Sequence, residues 1–100
     1  MIKITHTDGR IEINGHAGYA RRGRDIVCAA VSALYWTFKA SVDELTEDEI
    51  KAEKTADMIV IEYKNLSANA QLLMSSFFIG LSRLARDYPN NVKLTEHLRH

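Results

Sequence analysis

Residues 15–32 read Gly-His-Ala-Gly-Tyr-Ala-Arg-Arg-Gly-Arg-Asp-Ile-Val-Cys-Ala-Ala-Val-Ser, and the character of the chain changes twice within them. Before them the sequence alternates apolar and polar residues. From Ala17 to Arg24 it is too polar to pack and too rich in glycine for regular structure. After Asp25 it becomes the apolar run Ile26-Val27-Cys28-Ala29-Ala30-Val31. Asp25 is a good helix N-cap, with Ile26 at N1 and Cys28 at N3. His16 therefore closes a strand, and Cys28, twelve residues later and the sole cysteine, opens a helix.

Working towards the N-terminus, Ile2-Lys3-Ile4-Thr5-His6-Thr7 and Arg10-Ile11-Glu12-Ile13-Asn14 alternate on either side of Asp8-Gly9. Asp-Gly is a strong hairpin signal, favouring a type I′ turn with positive φ at both central residues. A two-residue loop pairs Thr7 with Arg10, His6 with Ile11 and Ile4 with Ile13. Ile2, Ile4, Ile11 and Ile13 then share the buried face. Regular continuation puts His16 on the opposite face with Glu12 and Asn14, reachable from solvent, and Gly15 is suited to a bend that re-aims it.

Towards the C-terminus, Val27, Ala30, Val31, Leu34, Tyr35 and Phe38 recur at helical spacing, which carries the helix to about Asp43. An acidic connection, 43–49, leads to a weakly alternating strand over 50–54. Thr55-Ala56-Asp57 turns the chain, and 58–63 is too continuously apolar for an edge, so it reads as the central strand. Ser67 or Asn69 caps a second helix whose stripe is Ala70, Leu73, Met74, Phe77, Leu81, Leu84 and Tyr88. Pro89 stops it, and 92–95 forms a last short strand. The expected fold is α+β. A mostly antiparallel sheet of four to five strands carries two helices on one face, in the order β-β-α-β-β-α-(β).

One hundred residues, 46% hydrophobic and 26% charged, make one globular domain spanning 1–100. Thirteen basic residues balance thirteen acidic ones, so no overall field points to nucleic acid or to a membrane surface. No apolar run approaches the roughly 20 residues of a membrane span. A single cysteine needs no oxidising compartment, and cytoplasm is the default. His6, His97 and His100 lack metal-ligand spacing, so neither a metal nor a cofactor is expected.

Chemistry concentrates at Cys28. A thiol attacks as its thiolate, which the positive end of a helix and its free first-turn N–H groups favour. Those same N–H groups can receive an oxyanion. An imidazole from His16 completes the pair as base and then acid, with His6 on the same hairpin the fallback. Asp25 opposes ionisation by its charge and serves as the cap, worth about 1 kcal/mol. Ser32 lies one turn beyond Cys28 and can bond near the site or back to its own helix. The ordinary reading competes with this one: a lone cysteine in an apolar helix is usually a small core residue, and an arginine-rich loop is usually solvated.

Gly15-His16-Ala17, Gly23 and Asp25-Ile26-Val27-Cys28-Ala29-Ala30-Val31-Ser32 together resemble the signature of the ribosomal-processing cysteine proteases, the Prp family. The His-to-Cys spacing, chain length and element order agree with that family, and the motif itself shows no departure. The resemblance implies a cytoplasmic, homodimeric endopeptidase with a Cys-His dyad, Cys28 as nucleophile and His16 as general base. Its substrate would be the N-terminal extension of a bacterial large-subunit ribosomal protein, cut after aromatic residues. It also implies a loop before the helix that moves to admit peptide. Here that is 17–24, with Gly18 and Gly23 as hinges and Tyr19 as the lid over a bound side chain.

A second class of function stays open, a non-catalytic ribosome- or RNA-associated module with Arg21, Arg22 and Arg24 on phosphates. In the protease reading no direct nucleic-acid contact is expected. Leu72, Phe78, Ile79 and Trp36 sit off the two helical stripes. Such surplus apolar surface fits a symmetric dimer, or else a curved sheet that covers more of each helix.

Overall fold

The hairpin forms in the expected register, Thr7 opposite Arg10, His6 opposite Ile11 and Ile4 opposite Ile13. In the computed structural model, which describes residues 1–21 and 23–96 with Glu96 through its backbone only, it joins β1 (Ile2–Thr7) to β2 (Arg10–Asn14). There follow α1 (Ile26–Leu45), β3 (Lys51–Lys54), β4 (Met58–Glu62), α2 (Ala68–Asp87) and β5 (Val92–Glu96). Arg22, His97 and His100 lie outside the described residues.

The turn differs in one detail from expectation. Gly9 has φ +74°, but Asp8 does not take positive φ, so this is not a type I′ turn. Only the residue without a Cβ takes the left-handed region, and the Tyr63 amide bonds the Gly9 carbonyl at 3.0 Å, tying the turn to the end of β4.

The sheet order is β3-β4-β2-β1-β5. All neighbours are antiparallel except β1 and β5, which run parallel, so the fold is α+β with a five-stranded mixed sheet. β4 is interior, as its apolar run required, but β2 rather than β4 is the central strand. β4 lies one place from the edge because the short, mostly exposed β3 closes that side.

Ile2, Ile4, Ile11 and Ile13 are all buried, joined by Ile59, Ile61 and Val92. Against them α1 sets Val27, Val31, Tyr35, Phe38 and Val42, and α2 sets Ala70, Met74, Phe77 and Leu81. Ser67 is the α2 cap, its Oγ accepting from the Ala70 amide. Phe78, expected on an outer surface, is 2% exposed. Two adjacent phenylalanines are buried because α2 meets two neighbours: Phe77 stacks on Phe38 of α1 at 4.9 Å, and Phe78 stacks on His6 of β1 at 4.7 Å.

Candidate active site

Asp25 organises the start of α1. Its Oδ1 accepts from the amides of Val27 and Cys28, each at 3.0 Å, so it is the N-cap. Its Oδ2 accepts from Tyr19 and Ala20 at 3.1 and 3.4 Å, binding the preceding loop to the same carboxylate. Burial pushes this carboxyl up, but the amides of Cys28, Ala20, Tyr19 and Val27 outweigh it and hold the group below its ordinary value. The cap thus engages two first-turn N–H groups that the sequence reading had left free for an oxyanion.

Cys28 is at N3 and partly buried. Its Sγ accepts from the Ala17 amide at 3.3 Å. Ala17 is 2% exposed, and its carbonyl accepts from Asn91 Nδ2 at 3.0 Å. The residue after His16 is therefore held from both sides, by the thiol and by the turn before β5.

His16 follows Gly15, whose φ is +94° and whose amide donates to the Asp57 carbonyl at 2.9 Å. A Cβ at Gly15 would come within 2.6 Å of the Met1 carbonyl oxygen, so the bend that redirects the chain out of β2 accepts only glycine. His16 lies beyond the end of β2, which stops at Asn14, and it is exposed because of this bend rather than by strand parity. Its Nε2 lies 2.7 Å from Asp57 Oδ1.

His16 and Cys28 line one groove of about 520 Å³ between the start of α1 and the β3–β4 turn. Asp25, Ser32, Gly18 and Gly23 are also on its wall, together with Asp57. Among the described residues His16 hydrogen-bonds Asp57 rather than Cys28. Tyr19 does not line this groove; its ring packs edge-on against Tyr88 at 5.5 Å, near the C-terminus of α2. His6, the fallback base, is 1% exposed and bonded through Nε2 to the Tyr63 hydroxyl at 2.6 Å. It is buried because residues 2, 4 and 6 share the core face, and it lies at the turn end of the hairpin, the opposite end from His16.

Asp57 and Asn91 were missed in the sequence. Asp57 comes into place only through the pairing of β2 with β4, which brings the turn over 55–57 beside the end of β2. Among the described residues no group of three or more His, Cys, Asp or Glu side chains is placed to hold a metal ion.

The family model for the cysteine protease Prp matches residues 1–93. The chain belongs to the Prp cysteine protease family. That family is the one its His16–Cys28 signature resembles, and membership makes it a cysteine protease. The ribosomal processing cysteine protease Prp of Mycoplasma genitalium is 30% identical, with 96% of each chain covered. That of Bacillus subtilis is 27% identical, covering 97% of this chain and 95% of the relative. In fold, the chain is similar to the essential ribosomal processing protease Prp of S. aureus, solved with a covalently linked product peptide. The TM-score is 0.85 at 23% identity, over 96% of this chain and 97% of that one.

Proposed function

We propose that this Prp-family chain is a cytoplasmic endopeptidase that removes the N-terminal extension of a large-subunit ribosomal protein, with Cys28 as nucleophile and His16 as its base. The observation that carries the reading is the groove shared by His16 and Cys28, with the Ala17 amide directed at the sulfur. Membership of a cysteine protease family supports this reading over the non-catalytic alternative.

The steps follow from those two side chains. His16 takes the Cys28 proton, and the thiolate attacks the scissile carbonyl, forming a C–S bond. His16 returns the proton to the leaving amine as the C–N bond breaks, leaving a thioester. Water, deprotonated by His16, attacks the thioester; the C–S bond breaks and the thiol is regenerated. Before reaction, the Ala17 N–H holds the sulfur in place. Met58, 39% exposed, gives the groove an apolar side backed by the buried Ile2, Ile13, Val31 and Ile59, which suits an aromatic residue before the cut.

Gly18 and Gly23, with φ of +69° and +86°, flank the part of the loop that closes on peptide. The working form is a homodimer, supported by Trp36, Leu72 and Ile79, which remain exposed on the two helices. Cytoplasmic location is supported by the ribosomal processing named for the relatives. The test is incubation with an N-terminally extended ribosomal-protein peptide, followed by mass analysis. Cleavage at one site by the wild type, absent in Cys28→Ala, is the expected result; no cleavage by the wild type rejects this substrate.

A further inference from the structure

We propose that Asp57 is a positioning residue of this active site, fixing the ring orientation and the proton position of His16. The proposal rests on the reading of His16 as base. Two carboxylates line the groove. Asp25 has both oxygens engaged by backbone amides, Oδ1 by Val27 and Cys28 and Oδ2 by Tyr19 and Ala20. It has no oxygen to spare for the histidine. Asp57 reaches it, with Oδ1 2.7 Å from His16 Nε2.

The platform that holds Asp57 is built from three further contacts. Thr55 Oγ1 accepts from the Met58 amide at 3.2 Å and the Asp57 amide at 3.4 Å, and the Thr55 amide donates to the Met58 carbonyl at 2.8 Å. Met58 pairs with Asn14, the last residue of β2. The Asp57 carbonyl then accepts from Gly15 at 2.9 Å. One residue thus binds the backbone of position 15 and the side chain of position 16, so ring and turn move as a unit.

The chemistry follows from the donor inventory. A carboxylate only accepts, so a neutral His16 bonded to it carries its proton on Nε2 and leaves the Nδ1 lone pair to take the thiol proton. When His16 is protonated, the imidazolium stays beside a negative charge. In the free protein the two side chains are 56% and 78% exposed, so water weakens the pair. A peptide lying in the groove covers both and strengthens it, because the same charges then interact through a poorer dielectric. The effect therefore belongs to turnover rather than to peptide capture.

Asp57→Ala and Asp57→Asn, compared with wild type and Cys28→Ala, test the assignment on an N-terminally extended ribosomal-protein peptide. Asp57→Ala is expected to lower kcat about 10- to 100-fold, the scale of a misoriented base, with KM changed less than about twofold. Asp57→Asn, whose amide oxygen still accepts from Nε2–H, should recover part of that loss. Nitrogen-15 shifts of the His16 ring supply a readout independent of cleavage: the Nε2–H tautomer should dominate in wild type and Asp57→Asn and give way to a mixture in Asp57→Ala. Wild-type kcat in Asp57→Ala, a loss confined to KM, or an unchanged tautomer would overturn the proposal. Should Cys28→Ala still cleave, the reading of the thiol fails, and the ring shifts alone decide the role of Asp57.

Discussion

The Ala17 amide donates to Cys28 Sγ at 3.3 Å, so the backbone next to His16 is already in contact with the thiol. Cys28→Ala removes one partly buried sulfur and with it the acceptor of the Ala17 amide, while the Asp25 cap is untouched, so stability should fall by about 1–3 kcal/mol, read as a shift of the urea midpoint. Cleavage should disappear. Turnover near the wild-type rate would end the case for this nucleophile. His16→Ala should lose activity comparably, because nucleophile and base act as one unit.

Asp25 gives an acid-side prediction. Its folded value lies below the ordinary 3.8, since the four amides outweigh the burial that pushes it up. The stability it contributes is whole above the unfolded carboxyl's value and is lost as pH falls through the lower folded value. Asp25→Ala should cost about 1 kcal/mol near neutral pH, the usual worth of a cap. The difference in Tm between wild type and Asp25→Ala should shrink between about pH 4 and pH 2. A difference that stays constant over that range would show that the carboxylate's charge is not what clasps the loop.

Self-association is readable by light scattering. Leu72 and Ile79 lie seven residues apart on α2 and are 70% and 71% exposed, and Trp36 on α1 is 54% exposed. The wild type should give a dimer mass at tens of micromolar. Ile79→Glu should give a monomer with an unchanged circular dichroism spectrum, because this side chain is outside the core. A monomeric wild type would remove the dimer.

The hairpin register was legible because Asp8-Gly9 fixes the loop length and four isoleucines of one parity fix the face. The cap and the N3 position of Cys28 were legible for a similar reason, since both are set within one turn of chain. What escaped depends on contacts between distant segments. The place of β4 beside β2, and with it Asp57 beside His16, comes from strand pairing that no local signal sets. The parallel pairing of β5 with β1 returns the chain through α2, and the Asn91 carbonyl meets the Ile2 amide at 2.8 Å only then. Phe78 was misjudged because a single apolar stripe assumes one neighbour, whereas α2 packs on both the sheet and α1.

The loop before α1 carries the last prediction. The sequence reading made all of 17–24 mobile without peptide, yet four of its described amides have partners: Ala17 on the thiol, Tyr19 and Ala20 on Asp25, and Arg24 on the Arg21 carbonyl. Protection in the free protein should therefore be measurable at these four amides and absent at the exposed Gly23. Gly23 is the position where the backbone can be challenged. Its φ is +86°, and nothing lies within 4 Å of a Cβ built there, so alanine meets conformational strain alone. That strain is about 1–2 kcal/mol. Proline, whose ring holds φ near −65°, cannot adopt the observed conformation at all. Because the residue is exposed and outside the core, Gly23→Pro should lower cleavage severalfold or more while moving Tm little. Amide exchange with a non-cleavable peptide should then add protection at Gly23 in wild type. Strong and equal protection across the loop with and without peptide would show a preformed site, in which substrate entry requires no hinge at Gly23.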